Sequence, residues 1–181
     1  MIPPRLALVA VLAAVATGLV WAGSSAAGSG EGEAGATQAP AQITPTRVDG
    51  VRLGMRHAVL RERGLVGPIR PGCELAGPNT RSARLRAPLR GGVDYSQSSP
   101  RRVRSIAVTK GARARGIGIG AKIPRILSRF PNATVDHSTD EVFQLTLVQT
   151  PERPSGGRIT FGVSTQTKRT TIIGVPFIAF C

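Results

Sequence analysis

One short pattern, with glycine at both ends and aliphatic residues at its second and fourth positions, occurs twice in this chain. The first copy is GVRLG at 50–54, and the second is GIGIG at 116–120. In each copy the aliphatic residues suit a short strand, and the final glycine permits a tight turn. The chain is therefore expected to fold as two similar halves. At 181 residues it is also too short for a large multidomain enzyme.

Apolar side chains at helical spacing follow each copy of the pattern. After the second copy, four apolar residues fall on one helical face before Pro131 ends the run. They are Ile123, Ile126, Leu127 and Phe130. After the first copy, Met55 and Val59 have helical spacing and Gly64 is a typical helix stop. Each half is thus predicted to carry one short helix, the first over about 56–63.

Alternation of apolar and polar residues predicts strands after the second helix. One alternating run contains Phe143, Leu145 and Leu147, and another contains Ile159, Phe161 and Val163. This period of two is typical of antiparallel strands that are covered on one face. The segment PERPSGG at 151–157 is predicted to be the turn between them, and 168–175 a third strand.

The first half carries weaker strand signals of the same kind. Its candidate strands are 84–89 and 103–109, separated by the Gly-Gly pair at 91–92 and by a polar loop at 96–100. Pro88 restricts the first candidate to a sheet edge, because proline cannot donate a backbone hydrogen bond.

The predicted fold class is α+β, a mainly antiparallel sheet with two short helices, arranged as two similar β-α-β-meander halves. The folded domain is expected to span 47–181, with halves at approximately 47–110 and 111–181. The segment before it, 28–46, is rich in small and polar residues, contains proline and has no periodicity. It is predicted to be a flexible linker.

The first residues have the pattern of a secretory signal peptide. Arg5 supplies a positive charge, residues 6–22 carry no charge, and small residues follow. We expect a signal peptide over 1–27, cleaved after Ala26 or Ala27. The alternative is an uncleaved membrane anchor formed by residues 6–22, a length at the lower limit for crossing a bilayer.

The two cysteines, Cys73 and Cys181, are consistent with export. In an oxidising compartment they are expected to form one disulfide. Closing a loop of this size would stabilise the fold by about 4 to 5 kcal/mol in the chain-entropy model. The disulfide would hold the C-terminus against the rest of the domain.

The two copies of the glycine pattern, together with the helix positions after them, resemble a known envelope domain. The residues that carry the likeness are Gly50, Leu53, Gly54, Met55 and Leu60 in the first unit, and Gly116, Ile119, Gly120, Ala121 and Ile126 in the second. The arrangement resembles the SmpA/OmlA type, which includes the outer-membrane assembly lipoprotein BamE. It is also similar to uncharacterised secreted proteins of high-GC Gram-positive bacteria with two such units and a C-terminal cysteine. The resemblance implies a non-catalytic envelope or extracellular protein, and it transfers no active-site residue.

One motif suggests a cofactor, but its surroundings argue against that interpretation. Gly116, Gly118 and Ala121 fit the dinucleotide fingerprint, and Asp136 follows at a suitable distance. That fingerprint requires a long helix in a parallel βαβ unit, whereas Pro131 shortens this helix and antiparallel alternation follows. We therefore expect no cofactor. No resident metal is expected either, because the two cysteines and two histidines lack the short spacings that are typical of zinc sites.

A small acidic cluster offers the alternative of a catalytic function. Asp136, Asp140 and Glu141 surround His137 in the sequence. The segment is most simply a solvated turn before a strand at Val142. The alternative is a small secreted hydrolase that uses His137 with Asp136 or Glu141, although none of the usual hydrolase motifs is present.

Positive charge is the strongest remaining signal. The chain has 24 Lys+Arg against 10 Asp+Glu, for a formal net charge of +14. On strands, Arg84 and Arg86 would share one face, as would Arg102 and Arg104, and these four are the candidate anion-binding residues. The alternative is that arginine reflects a GC-rich coding sequence and that this face is only solvated.

These signals together predict a secreted, non-enzymatic protein of the cell envelope or the extracellular space. Its expected partner is an anionic cell-wall polymer or an envelope protein. A nucleic acid is not expected, because the N-terminal segment predicts export and only 4% of the residues are aromatic. Contact with a membrane is expected only if the N-terminal segment stays uncleaved. In that case the alternative function is a membrane-anchored accessory subunit.

Overall fold

An eight-stranded antiparallel sheet dominates the computed structural model, which describes residues 39–73 and 79–180. Numbered along the chain, its strands lie side by side in the order β4, β5, β6, β7, β12, β11, β10, β9. Their bounds are β4 (Arg70–Pro71), β5 (Arg81–Arg84), β6 (Arg90–Tyr95), β7 (Val103–Lys110), β12 (Thr170–Val175), β11 (Thr160–Ser164), β10 (Leu145–Gln149) and β9 (Thr134–Asp136).

Short strands and short helices complete the fold. A second sheet has the order β3 (Val51–Arg52), β2 (Arg47–Val48), β1 (Ala41–Thr44) and β8 (Ala112–Arg113), in which only β1 and β8 run parallel. The helices of the described residues are α1 (His57–Glu62), α2 (Ile123–Arg129) and α3 (Asp140–Phe143). The α+β class with a mainly antiparallel sheet is therefore confirmed, although the helices number three instead of the predicted two.

The large sheet consists of two meanders that meet at its centre. The last strand of each half, β7 and β12, pair antiparallel, with Val108 opposite Ile173 and Ile106 opposite Val175. From this central pair, β6, β5 and β4 extend to one side, and β11, β10 and β9 extend to the other. An antiparallel central pair relates the two halves by an approximate two-fold axis.

The glycine turns dock on the sheet in the same way in both halves. The backbone N–H of Gly54 donates to the carbonyl oxygen of Val103, and that of Gly120 donates to Thr170, both at 2.8 Å. An arginine side chain donates to the carbonyl oxygen of each glycine, from Arg102 at 3.0 Å and from Arg169 at 3.1 Å. The repeat seen in the sequence is therefore a structural repeat.

The core uses equivalent residues of the two halves. The helix residues Leu60 and Ile126 are both fully buried, and they belong to one cluster with side chains of the central strands. The ring of Phe130, which follows α2, lies 5.5 Å from that of Phe161 on β11, measured between centroids. These contacts explain why the apolar spacing predicted both helices correctly, since packing of one face stabilises helices this short.

The C-terminal segment crosses the opposite face of the sheet. Gly174 alternates with the buried Ile173 and Val175, and a Cβ at Gly174 would lie 2.5 Å from the carbonyl oxygen of Phe177. The ring of Phe180 stacks on that of Phe143 at 4.3 Å between centroids. The segment thus covers the middle of this face and reaches the start of β10.

The predicted disulfide lies at the end of this segment. Cys181 lies outside the described residues, whereas Cys73 is buried. The Sγ atom of Cys73 is 2.8 Å from the carbonyl oxygen of Phe180, the residue before Cys181. This contact joins Cys73 to the C-terminal segment, and the bond between Cys73 and Cys181 stays a prediction.

The N-terminal predictions are only partly covered by the described residues. The signal peptide over 1–27 and the alternative anchor over 6–22 lie outside them. The linker over 28–46 is wrong in its last part, because β1 pairs with β2 and β8 and buries Ile43. Within the described chain, no helix has the length and apolar character needed to span a membrane.

Three further sequence predictions are corrected by the strand positions. The strand predicted at 84–89 is β5, which lies earlier, and β6 includes the Gly-Gly pair that was interpreted as a separator. Phe143 belongs to α3 and not to a strand, so the segment before β10 is a helical turn. Two of these errors concern elements of four residues, β5 and α3, which are too short to establish a period, and the third arises from the Gly-Gly pair inside β6.

A half-buried carboxyl group on β6 makes the stability of this fold depend on pH. Burial raises the pKa of Asp94 above its usual value, and a hydrogen bond from the Ser105 hydroxyl at 2.9 Å partly offsets the rise. The folded protein then keeps a proton at pH values where the unfolded chain has released it. The contribution of Asp94 to the free energy of unfolding therefore falls as pH rises from about 4, the usual pKa of aspartate, through the raised pKa of the folded state.

We expect Asp94→Asn to remove this loss, because the amide oxygen still accepts from Ser105 and carries no charge. In urea unfolding, the free energy of unfolding of the variant relative to that of the wild type should be greater at pH 7 than at pH 3. An equal stability difference at both pH values would contradict this account.

Candidate functional site

A strongly positively charged depression lies beside the second glycine turn. It is a groove of about 690 Å³ between the β7–β8 turn and the GIGIG loop. Four cationic side chains line it: Lys110, Arg113, Arg125 and Arg169. No carboxylate does, so we call it the cationic groove. Its cations come from β7, β8, α2 and the residue before β12, which the fold brings together.

Glycines shape the walls of the cationic groove. Gly111 has a φ of +93°, and a Cβ there would lie 2.6 Å from the carbonyl oxygen of Pro88, so the β7–β8 turn requires glycine. Gly118 has no such strain, and a Cβ there would lie 3.2 Å from Cγ of Arg113. The first copy of the repeat has Arg52 at the position of Gly118. The second half thus has no side chain at the position that Arg52 occupies in the first half, which leaves the groove open.

No ion pair between described residues neutralises the cations of the groove. The ion pairs among the described residues are Arg158 with Glu152 and His137 with Asp140, both at 2.8 Å. None involves the cationic groove. Arg169 donates one hydrogen bond to the Gly120 carbonyl oxygen, which fixes the position of its guanidinium. The groove therefore presents fixed positive charge to the solvent, which favours anionic ligands.

Like charges also face each other across paired strands. Arg90 lies opposite Lys110, Arg47 lies opposite Arg52, and Arg56 lies opposite Arg102. Such pairs repel and destabilise a sheet by a few tenths of a kcal/mol to about 1 kcal/mol each. An anion bound near them would relieve this repulsion.

The four arginines predicted from the sequence are exposed but do not form a single site. Arg84 lies opposite Gly92, which in turn lies opposite Ala107, so Arg84 is three residues along the sheet from Arg104. With the strand spacing included, their Cα atoms are about 14 Å apart. Arg86 lies beyond the end of β5, where its backbone N–H donates to Leu65. Arg102 donates to the Gly54 carbonyl oxygen, as Arg169 donates to that of Gly120 in the cationic groove.

The residues of the cationic groove were missed because they are distant in the sequence. Lys110 and Arg169 are fifty-nine positions apart, and no local charge run indicates that they meet. The repeat contained a usable signal. Arg102 and Arg169 have equivalent contacts in the two halves, so a full alignment of the halves would have identified Arg169 from Arg102.

The acidic cluster around His137 takes a different form from the one predicted. The imidazole Nδ1 pairs with Asp140, at 2.8 Å, and not with Asp136 or Glu141. That hydrogen bond lowers the pKa of Asp140, with a smaller effect from the Thr146 hydroxyl. A backbone N–H from Ser138 lowers the pKa of Asp136. The His137 side chain is 69% exposed and that of Asp140 is 28% exposed, so the imidazole lies in solvent while its partner is partly covered.

Metal ligands do not cluster in the part of the chain that the structure describes, where no group of three His, Cys, Asp or Glu residues is placed to hold an ion. The glycines of the dinucleotide-like motif line the cationic groove instead. The helix after them, α2, has seven residues and leads into antiparallel strands.

Comparison of the chain with protein-family models, with curated proteins and with solved structures gives no match. The resemblance to the SmpA/OmlA type therefore stays a prediction that rests on the residues of the two glycine turns.

Proposed function

We propose that this protein binds an anionic, phosphate-bearing polymer of the cell envelope, and that the cationic groove is its principal contact. The observation that supports the proposal is the groove itself, where cations from β7, β8, α2 and the residue before β12 meet without a carboxylate. Lysine and arginine contact phosphate groups through charge-assisted hydrogen bonds, and such contacts release counterions from a polyanion.

A polymer fits the charge distribution better than a single small anion. The cationic groove lies at the end of β7, and Arg102 and Arg104 lie at its beginning. Seven residue steps along a strand span about 24 Å. A flexible polymer of regularly spaced phosphates can contact both regions at once. In this proposal the arginines predicted from the sequence extend the site rather than form it.

The proposal includes the cellular location expected from the sequence. The N-terminal segment directs export, and the mature protein acts without catalysis at the envelope or outside the cell. The contact between Cys73 and Phe180 supports a disulfide-closed, exported domain. A membrane-anchored accessory subunit is the alternative, in which the same groove faces the polymer from the membrane surface.

Removal of three groove cations is expected to abolish most polymer binding. The variant Arg113→Gln/Arg125→Gln/Arg169→Gln should bind poly(glycerol phosphate) at least about tenfold more weakly than the wild type at low salt. The slope of log Kd against log salt concentration should decrease by about 2, because each lost phosphate contact removes about 0.7 from the slope for a flexible polyanion. Isothermal titration calorimetry at several salt concentrations measures both quantities.

A control variant separates the groove from net charge. Arg61→Gln/Arg63→Gln/Arg129→Gln removes the same charge from exposed positions that do not line the groove, and it should keep most of the affinity. Gly118→Glu adds a carboxylate beside Arg113 without changing any cation, and it should also weaken binding. Equal losses in both triple variants, or a wild type that does not bind at low salt, would contradict the proposal.

A further inference from the structure

A second groove, of about 620 Å³, lies on the small sheet and is separate from the cationic groove. One wall is β1 with the turn at Pro45, and the other is the loop at 151–154. The two walls are held close together, because a Cβ at Gly157 would lie 2.5 Å from the carbonyl oxygen of Pro45. The groove is therefore formed by the packed fold itself.

The floor of this groove is apolar. It consists of Ile43, Phe130 and Ile159, each of which keeps less than a tenth of its surface exposed. Prolines line much of the rest: Pro45, Pro131, Pro151 and Pro154. We call it the apolar groove. An apolar floor with a few charged groups at its rim is the usual composition of a small-molecule site.

The rim of the apolar groove carries positive charge. The guanidinium carbon of Arg115 lies 5.3 Å from the centroid of the Phe130 ring, and Arg153 lies on the loop opposite. Glu152, the carboxylate at this rim, pairs with Arg158 at 2.8 Å. Neither Arg115 nor Arg153 forms an ion pair with a carboxylate of the described residues. Two cations are thus available beside an apolar surface.

We propose that the apolar groove binds a single-chain amphiphile with an anionic head group, such as a fatty carboxylate. The acyl chain lies on Ile43, Phe130 and Ile159, and the head group pairs with Arg115 and Arg153. Arginine suits this role because its planar guanidinium donates two parallel hydrogen bonds to a carboxylate or a phosphate. This site is independent of the proposed polymer site, since the two grooves share no lining residue.

Three ligands with the same chain test the chemistry of the apolar groove. Decanoate, decanol and decyltrimethylammonium, each below its micelle concentration, are titrated into the full domain and followed by backbone amide NMR. Decanoate should bind, with shift changes at Ile43, Asn132 and Ile159. Decanol should bind at least about tenfold more weakly, and decyltrimethylammonium should not bind. Decyl phosphate in place of decanoate shows which head group is preferred.

Two variants and one control keep the test decisive. Arg115→Gln/Arg153→Gln should reduce decanoate affinity to that of decanol, whereas Arg63→Gln/Arg129→Gln, away from the groove, should leave it unchanged. Asn132→Trp places a large ring at an exposed rim position and should block the binding of both decanoate and decanol.

Equal binding of decanoate and decanol to the wild type, or shift changes confined to other surfaces, would overturn the proposal. Polymer binding by Arg115→Gln/Arg153→Gln should persist, which distinguishes this site from the cationic groove.

Discussion

Gly91→Ala is expected to destabilise the protein by about 3 kcal/mol or more, or to prevent folding. Gly91 lies in the interior of β6 at a φ of +142°, in register with Val108 of the central strand β7. A Cβ at Gly91 would overlap the carbonyl oxygen of Ala107 and lie 2.9 Å from its carbonyl carbon. Both neighbours are backbone atoms of the central strand, so neither can move without disturbing the β7–β12 pair.

The next residue provides the control. Gly92 is also in β6, but a Cβ there would lie 3.6 Å from the carbonyl oxygen of Ala83, an ordinary contact distance. Gly92→Ala should therefore change the free energy of unfolding by less than about 1 kcal/mol. Urea unfolding of both variants, followed by circular dichroism, makes the comparison. If the two substitutions had equal effects, the close approach of β6 and β7 would not be what requires glycine at position 91.

The Gly-Gly pair also shows why β6 was not predicted from the sequence. Adjacent glycines usually indicate a turn, because glycine adopts positive φ values at little cost. Here Gly91 lies at a bulge, where the register between β6 and β7 shifts. At position 91, glycine allows the backbones of β6 and β7 to approach each other closely. A single sequence does not distinguish that use from a turn, since both require the absence of a side chain.

Other elements differ in how clearly the sequence specifies them. The α2 helix was predicted because four apolar residues repeat over two turns and a proline ends the run. The strands β1 and β9 bury too few side chains to leave a period, and Val135 of β9 is itself exposed. These strands form because neighbouring strands offer unpaired backbone groups, a tertiary effect that local patterns do not contain.

The candidate site was harder to predict than the fold for the same reason. The sequence indicated a basic protein and gave an anionic partner as a hypothesis, which stays a prediction. It placed the site at arginines that are near each other in the sequence, whereas the groove draws its cations from both halves of the molecule. Only the pairing of β7 with β12 brings Lys110 and Arg169 to the same end of the sheet.

The structural repeat leads to a second large expected effect. Leu60→Ala and Ile126→Ala should each destabilise the protein by about 2 to 5 kcal/mol, the range for large-to-alanine changes in a core. The two residues are equivalent in the repeat and both are fully buried. The half-buried Leu127, one position after Ile126, is the control. Leu127→Ala should reduce the free energy of unfolding by less than the other two substitutions. Chemical unfolding of the three variants under identical conditions measures these differences.

The form of the unfolding transition tests whether the halves fold together. The central pair joins both meanders into one sheet, and the core cluster contains residues of both halves. We therefore expect each variant to unfold in a single transition, with intrinsic fluorescence and circular dichroism giving the same midpoint. Two separate transitions in Leu60→Ala, with only one shifted from the wild type, would instead mean that each half is an independent folding unit. In that case the β7–β12 pair would be an interface between units rather than the centre of one cooperative sheet.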